Sequence, residues 1–180
     1  IYAKIYSGSE FGLSNFITVT VGEQLSYNNS QNIIPGLIEP GKYDYFEGGL
    51  GQNISYFDNS LNNEGTFRTD EYVDVEFFGN TEGPTLGWIE AGEWVEYTVN
   101  VQTAGYYDLE FRYASDIAGG GGPFHFEING DIISDNIYAG NTGDWYNWLS
   151  GNTGNIELNA GEHVLRLVFM DLSLIHISEP

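Results

Sequence analysis

Apolar and polar residues alternate with a period of two along several short stretches of this chain. In the clearest stretch, 95–101, three valines and a tyrosine alternate with Glu96, Thr98 and Asn100. Alternation of this length predicts a β-strand that buries one face. A second alternating stretch at 106–115 follows after a short turn, and the two together predict a hairpin.

Trp88 and Trp94 stand at the entrance of this predicted hairpin. Trp88 falls at a loop edge, outside the alternating residues, and Trp94 adjoins the first strand. An aromatic side chain at such a rim either covers the core or presents its ring to a ligand such as a sugar. The function of the domain depends on whether these rings cover the core or contact a ligand.

Further stretches at 73–77, 124–128, 156–158 and 164–169 predict additional strands. The last of these is apolar on both faces apart from Arg166, so we expect it in the centre of a sheet. Helical periodicity is nearly missing, and the chain has 24 glycines. Many short strands separated by Gly, Asn and Asp turns predict an all-β sandwich or barrel.

The polar stretch 23–33 predicts a linker. Residues 1–22 hold two predicted strands, and we interpret them as the end of a preceding β domain of immunoglobulin-like type. The alternative is that they add edge strands to the main sheet. The main domain is predicted over 34–172. The chain begins at Ile1 without a signal peptide, so we expect it to be an internal piece of a longer protein.

The chain is strongly acidic, with 26 Asp and Glu against 5 Lys and Arg and a net charge of -21. Such a charge excludes ordinary nucleic-acid binding, which needs a basic face, and argues against docking on anionic lipid. Cysteine is absent, which excludes disulfides and thiolate chemistry. No apolar run approaches the ~20 residues that a membrane-spanning helix needs.

Catalytic motifs of hydrolases and nucleotide-binding enzymes are missing from the sequence. The best carboxylate cluster is Asp70, Glu71, Asp74 and Glu76, in which the last two would point the same way from a strand, as a glycosidase pair requires. A glycosidase is therefore an alternative, although spaced carboxylates are expected by chance in so acidic a chain. The acidic loop 58–64 is interpreted as a solvated turn.

The histidines do not suggest a catalytic or metal site, because they are scattered along the chain. We expect His125, His163 and His176 to be surface residues.

Six segments of the chain, taken in order, match the pattern of one family. The longest is Gly87 to Ser115, which contains Gly-Trp-Ile-Glu-Ala-Gly-Glu-Trp and both alternating stretches. The others are Ile34 to Glu39, Tyr56 to Asp58, Phe67 to Asp74, Thr142 to Trp148 and Ala160 to Phe169. Together they resemble carbohydrate-binding module family 6. The resemblance implies a jelly-roll β-sandwich of two antiparallel sheets that binds polysaccharide, performs no chemistry and accompanies secreted glycan-degrading enzymes.

The resemblance also implies a site in which two aromatic rings hold a sugar, and the matching residues are Trp88 and Trp145. A pyranose ring presents a C–H face that packs on an indole, while its hydroxyls need polar partners. Glu71 is a candidate hydroxyl acceptor at this site. Trp148 is expected in the core. The alternative for Trp88 is a lid over the core.

Two further sites follow from the resemblance alone. Trp94 matches a tryptophan that contributes to a second sugar site on the concave sheet face. Glu39 matches one ligand of a structural calcium, but Gly41 stands where the family has a second acidic ligand, and Lys42 lies beside it. Losing an anionic ligand weakens calcium binding.

The C-terminus departs from the family pattern. Residues 173–180 resemble a translated sequencing adapter, and we interpret them as a non-native tail. The chain would then lack the last strand and an asparagine that contacts sugar, so we expect it to be less stable and to bind more weakly than a complete module.

The favoured interpretation is a monomeric, non-catalytic module tethered to a catalytic domain, with xylan, β-glucan or agar-type galactan as its polysaccharide. The alternative from another class is a structural or adhesive β-domain whose aromatic residues all lie in the core.

Overall fold

The computed structural model describes residues 22–77, 83–170 and 176–178 of the chain. The predicted strands within 1–21 lie outside the described residues. Fourteen strands, β1 to β14, follow one another in chain order. Their bounds are Gln24–Leu25, Asn32–Ile34, Tyr45–Phe46, Tyr56–Phe57, Val75–Glu76, Thr85–Leu86, Trp94–Val101, Gly105–Ala114, Gly121–Ile128, Asp131–Ile132, Ile137–Ala139, Leu149–Leu158, Gly161–Phe169 and His176–Ser178. Two short 3-10 helices occupy Tyr27–Asn29 and Pro40–Lys42.

Two sheets form the body of the protein. One has the order β10-β9-β13-β7-β2, with β11 paired to β9 and β4 paired to β7, and the other has the order β12-β8-β14-β6-β5. Strand pairing is antiparallel except between β2 and β7. A separate two-stranded sheet joins β1 and β3. The predicted all-β sandwich is confirmed.

The alternating stretch at 95–101 forms β7, and its apolar side chains line the core as predicted. Val95, Tyr97, Val99 and Val101 are at most 3% exposed. The stretch predicted to be central forms β13, which lies between β7 and β9. The predicted central position of β13 is therefore confirmed.

The predicted hairpin between the stretches 95–101 and 106–115 is wrong. The strand β7 pairs with β13 in one sheet, whereas β8 pairs with β12 in the other. The connection 102–104 therefore crosses from sheet to sheet. The physical reason is that both strands carry an apolar face, and placing them in opposite sheets lets the two faces pack against each other.

Aromatic rings join the two sheets in the core. Phe111 on β8 packs edge-on against Phe124 on β9, with ring centroids 5.3 Å apart. Phe124 packs edge-on against Phe126 at 6.1 Å, and it lies at the same centroid distance from Phe169 on β13. Edge-to-face aromatic pairs contribute beyond their burial, so this cluster holds the sheets in a defined position.

The predicted linker 23–33 is part of the fold. Gln24 and Leu25 pair with Phe46 and Tyr45, and β2 adds to the edge of β7. These stretches are too short and too polar for alternation to reveal them. Their pairing depends on strands that come later in the chain.

Residues 176–178 form β14, which pairs with β6 and β8. Ile177 pairs with Leu86 and Tyr113 and is buried in the core. The expectation that the native last strand is missing stays a prediction. A non-native origin of residues 173–180 stays a prediction. In the part of the chain that the structure describes, every helix is too short to cross a membrane.

Asp44 fastens the segment before β3 to β7. This fully buried carboxylate accepts hydrogen bonds from the Thr98 backbone N–H at 2.9 Å, the Thr98 hydroxyl at 2.6 Å and the Gln24 side-chain amide at 3.0 Å. The Asp44 N–H donates to the Glu96 carbonyl oxygen at 2.8 Å. A buried carboxylate with this many donors supports the surrounding backbone.

Replacing Asp44 with alanine is therefore expected to lower the free energy of unfolding by about 2–4 kcal/mol, because buried donors lose their acceptor. Urea unfolding followed by tryptophan fluorescence measures the change. Asp131→Ala, at an exposed position in β10, is the matched control and should change it by less than about 0.5 kcal/mol. Equal unfolding midpoints for Asp44→Ala and the parent chain would contradict this role.

Candidate functional site

Trp88 lies in the turn between β6 and β7. Its backbone has a φ of 48°, and its side chain is 38% exposed. The preceding Gly87 N–H donates to the Asp74 carbonyl oxygen at 3.0 Å, which ties this turn to the start of β5. A partly exposed indole on an anchored turn is a surface that a ligand can contact.

Trp145 lies in the loop between β11 and β12, and short hydrogen-bonded turns order this loop. The Asn141 side chain accepts from the Gly143 N–H at 2.7 Å, and the Asp144 carboxylate accepts from the Tyr146 N–H at 2.8 Å. Thr142 is buried, and its hydroxyl donates to the Ser115 carbonyl oxygen at 3.1 Å. The loop is thereby fixed to the end of β8.

The two tryptophans meet around His176 on β14. The centroid of its imidazole is 5.9 Å from the Trp88 ring and 5.1 Å from the Trp145 ring. We call the site formed by these two tryptophans and His176 the aromatic cleft. Trp88 and Trp145 were predicted to act together, and the structure brings both against one buried histidine. Both retain exposed surface, so neither is a core residue.

His176 was predicted to be a surface residue, and that prediction is wrong. Its side chain is buried, and burial lowers its pKa to about 4, so the ring is neutral at pH 7. The prediction for His125 is also wrong, because this residue is buried on β9. The sequence around a lone histidine gives no signal that residues from distant loops will pack over it.

Trp148 was predicted to lie in the core, and the structure corrects this. It is half-buried, its ring lies 6.4 Å from His176, and the Arg112 guanidinium is 5.6 Å from its ring centroid. The loop that carries Trp145 ends close to the aromatic cleft, so Trp148 packs beside the cleft instead of reaching between the sheets.

Glu71, the predicted hydroxyl acceptor, is engaged within the protein. Its Oε2 accepts from the Tyr43 hydroxyl at 2.7 Å and lies 2.7 Å from an Arg68 guanidinium nitrogen. The Arg68 guanidinium also lies 3.6 Å from the Tyr43 ring centroid. These contacts give Glu71 a structural role, and its contact with sugar stays a prediction.

Trp94 lies at the start of β7, and Arg166 covers its ring. The guanidinium carbon is 4.3 Å from the ring centroid. Glu96 accepts from Arg166 Nε at 2.7 Å, and Glu127 lies 3.6 Å from another guanidinium nitrogen. Since the guanidinium already occupies one face of the indole, a sugar could stack there only after Arg166 moves. The second sugar site at Trp94 stays a prediction.

Three buried acids lie beneath the Trp88 turn. Asp58 accepts from the Ser60 N–H, Asp74 from the Glu64 N–H, and Glu93 from the backbone N–H groups of Asn59 and Glu90. Burial raises the pKa of Asp58 to about 6, of Asp74 to about 7 and of Glu93 to about 8, and repulsion among neighbouring acids adds to the rise. Asp58 therefore departs from the predicted solvated turn, because it is buried.

The carboxylates proposed for a glycosidase do not form a free catalytic pair. Asp74 holds the Glu64 backbone, and Glu76 accepts from the Thr66 hydroxyl at 2.7 Å. Asp70 is exposed. Each of these acids either accepts a hydrogen bond from the loop that precedes β5 or faces solvent.

The calcium site at Glu39 stays a prediction, and its described surroundings do not fit one. The Glu39 carboxylate forms an ion pair with Lys42. Among the described residues, no group of three or more acidic or histidine side chains could hold a metal ion. Calcium prefers several anionic oxygen ligands, and a carboxylate already paired with an ammonium group offers a poor one.

A β-sandwich whose loops bring two partly exposed tryptophans together has the architecture of a carbohydrate-binding module. A family model described as carbohydrate binding module (family 6) matches residues 65–177. The chain belongs to this family. It is a non-catalytic module that binds polysaccharide.

The chain is also similar to individual proteins. It is 37% identical over 78 residues to exo-beta-D-glucosaminidase of Amycolatopsis orientalis, and the match covers 43% of this chain but 7% of that protein. A carbohydrate-binding module of Cellvibrio mixtus lichenase 5A, solved in complex with cellotriose, is 28% identical with a TM-score of 0.51 and coverage of 59% and 82% of the two chains. The C-terminal module of the Zobellia galactanivorans laminarinase LamC is 27% identical, with a TM-score of 0.53 and coverage of 59% and 84%.

The buried acids predict a pH-dependent stability. The pKa of Asp74 is higher in the folded protein than in the unfolded chain, so the folded state holds this proton more tightly. The stabilisation is complete below the ordinary carboxyl pKa and is lost as the pH rises through about 7 for Asp74 and about 8 for Glu93. We expect the melting temperature to fall by roughly 2–6 °C between about pH 6.5 and 8.5.

Asp74→Asn should make this dependence shallower, because asparagine keeps an acceptor for the Glu64 N–H and does not ionise. The part of the slope that comes from Glu93 should remain. The exposed Glu157→Gln is the control and should keep the parent's slope. Differential scanning fluorimetry across this range measures both. A slope in Asp74→Asn that equals the parent's would show that the buried acid does not cause the dependence.

Proposed function

We propose that the aromatic cleft binds a β-linked glucan and that this binding holds an attached glycan-degrading enzyme on its substrate. The observation that carries the proposal is the meeting of Trp88 and Trp145 around one buried histidine, with ring surface of Trp88 still exposed. A glucan unit whose hydroxyls are all equatorial presents flat C–H faces to such rings.

The size of the contact suits a weak, reversible module. Covering parts of two indoles removes on the order of 100–200 Å² of apolar surface from water, which contributes roughly 2–5 kcal/mol before ordering costs. Neutral sugars bring no charge, so the large negative charge of the chain neither attracts nor repels them. A contribution of this size suits the millimolar end of a micromolar-to-millimolar affinity range, which corresponds to a binding free energy of about -4 kcal/mol.

Two of the relatives make β-glucan the first polysaccharide to test. The Cellvibrio mixtus module was solved with cellotriose, and the Zobellia galactanivorans module comes from a laminarinase. Xylan and agar-type galactan are the alternatives, and both belong in any test. The exo-beta-D-glucosaminidase match supports attachment to a glycosidase and, with it, an extracellular location.

A structural or adhesive domain without a sugar site is the competing function. It requires Trp88 and Trp145 to serve the core. Both rings instead lie outside the set of buried core residues in the described structure. The partly exposed rings of Trp88 and Trp145 favour a sugar-binding module over a purely structural domain.

Affinity electrophoresis against β-glucans, xylan and agarose tests the proposal. We expect a soluble β-glucan to retard the parent chain, and Trp88→Ala and Trp145→Ala to weaken binding at least about 10-fold, because each loses a stacking face. Tyr106→Ala is the matched control. This aromatic residue is 70% exposed near the start of β8, outside the two loops that carry Trp88 and Trp145, so its substitution should leave retardation unchanged.

The other outcomes are equally informative. Retardation that survives both tryptophan substitutions and is lost in Trp94→Ala would move the site to the sheet face. Retardation by xylan or agarose alone would replace the glucan. Absence of retardation by every polysaccharide, with circular dichroism showing a folded chain, would favour the structural domain.

A further inference from the structure

Arg112 differs from the other basic residues that the structure describes. Lys42, Arg68 and Arg166 each form an ion pair with a glutamate. Within the described part of the chain Arg112 forms no ion pair, although the sequence carries 26 Asp and Glu. Its guanidinium is half-buried and lies 5.6 Å from the Trp148 ring centroid. A cation that has lost part of its water and has no carboxylate beside it favours an anion from outside.

Arg112 lies on the same face of β8 as the aromatic cleft. Successive side chains of a strand point to opposite faces, so Phe111 points into the core while Arg112 and Ala114 point outwards. His176 lies opposite Ala114, and opposed residues of an antiparallel pair share a face. The step of two residues from Ala114 to Arg112 is about 7 Å along the strand. The guanidinium is therefore close to the floor of the cleft.

Trp148 connects the guanidinium to the cleft. Its ring lies 6.4 Å from His176, and it follows Trp145 by three residues in the same loop. A guanidinium that packs on an aromatic ring is held in position, while its N–H groups stay available to an acceptor. Trp148 thus gives Arg112 a defined place at the edge of the site.

From the unpaired guanidinium and its position, we infer that Arg112 recognises a carboxylate on a sugar unit next to the one that stacks on Trp88 and Trp145. A guanidinium donates two parallel hydrogen bonds to a carboxylate, which a neutral hydroxyl cannot accept in the same way. The ligand class is then a β-linked glycan with occasional uronic acid units. This inference rests on the proposed function, because it takes the aromatic cleft as the sugar site.

The charge of the chain limits how many carboxylates the ligand can carry. The net charge of -21 repels a polyanion, and Glu110 is exposed on the same face of β8, two residues from Arg112. Salt screens repulsion beyond about 8 Å at physiological ionic strength, whereas a carboxylate bound to Arg112 is in direct contact. Sparse carboxylates should therefore favour binding, and dense carboxylates should oppose it.

Two matched polysaccharides test the inference. One is a soluble neutral β-glucan, and the other is the same glucan with a small share of its primary alcohols oxidised to carboxylates. Isothermal titration calorimetry gives the ratio of the two affinities. We expect the parent chain to bind the oxidised glucan about 5-fold more tightly, the size typical of a half-exposed charged pair.

Substitutions at Arg112 should change this ratio. Arg112→Gln should lower it to about 1 or less, because only the net negative charge of the chain then acts on the carboxylate. Arg112→Lys should give a ratio of about 2, because an ammonium restores the charge without the two parallel donors. Lys42→Gln is the matched control, since it removes the same charge from the ion pair with Glu39 and should keep the parent's ratio. A loss of packing on Trp148 affects both glucans and cancels in the ratio.

Several results would overturn the inference. A parent chain that binds neutral glucan but has a ratio of about 1 or less would remove the carboxylate and leave the proposed function intact. A ratio in Arg112→Gln equal to the parent's would do the same, and if that variant does not fold, an unchanged ratio in Arg112→Lys decides. Equal preference for a sulfated glucan of the same substitution would show general anion binding.

The proposed function can fail separately from this inference. If the parent binds xylan instead of glucan, glucuronoxylan and its carboxyl-reduced form become the matched pair, and the same ratios are expected. If the folded parent binds none of these polysaccharides, the aromatic cleft is not a sugar site, and the role of Arg112 is overturned with it.

Discussion

The packing of two apolar strand faces across the sandwich is the constraint on which the rest of the structure depends. One face comes from the valines of β7 and the phenylalanines of β9, and the other comes from the apolar side chains of β8. The two faces meet through Phe111 on β8 and Phe124 on β9. Because β7 and β8 follow one another in the chain but lie in opposite sheets, this packing also sets where the loops emerge. The turn that carries Trp88 and the loop that carries Trp145 are both anchored to strands of this core.

Polar groups do the anchoring, and they do so from buried positions. Asp44 connects the N-terminal segments to β7. Asp58 and Asp74 hold the loop that precedes β5, and Glu93 holds the turn that follows Trp88. A buried carboxylate is costly unless backbone donors surround it, so each of these acids restricts its loop to one conformation. Rigid loops reduce the ordering cost of binding a sugar, which matters for a module whose contact area is small.

The sandwich is well packed at one end and open at the other. The end near Phe124 has interlocking rings, whereas the end near Leu109 has half-buried aliphatic residues that line a cavity. The aromatic cleft is connected to the core through β14, because His176 lies at the start of that strand and the buried Ile177 follows it.

The sequence by itself determined the fold class, the buried face of β7 and the central position of β13, because period-two alternation is a local signal. Its ordered motifs, through the family resemblance, also singled out Trp88 and Trp145 as candidate sugar contacts. Tertiary structure decided the rest. The pairing of β7 with β13 instead of β8 depends on contacts between residues far apart in the chain. The burial of His176 between the loops of Trp88 and Trp145 depends on such contacts as well. Glu71 and Trp94 look available in the sequence, but Tyr43 and Arg166, both distant along the chain, engage them. Which side chains are left for a ligand depends on such contacts, and they form only when separate strands meet.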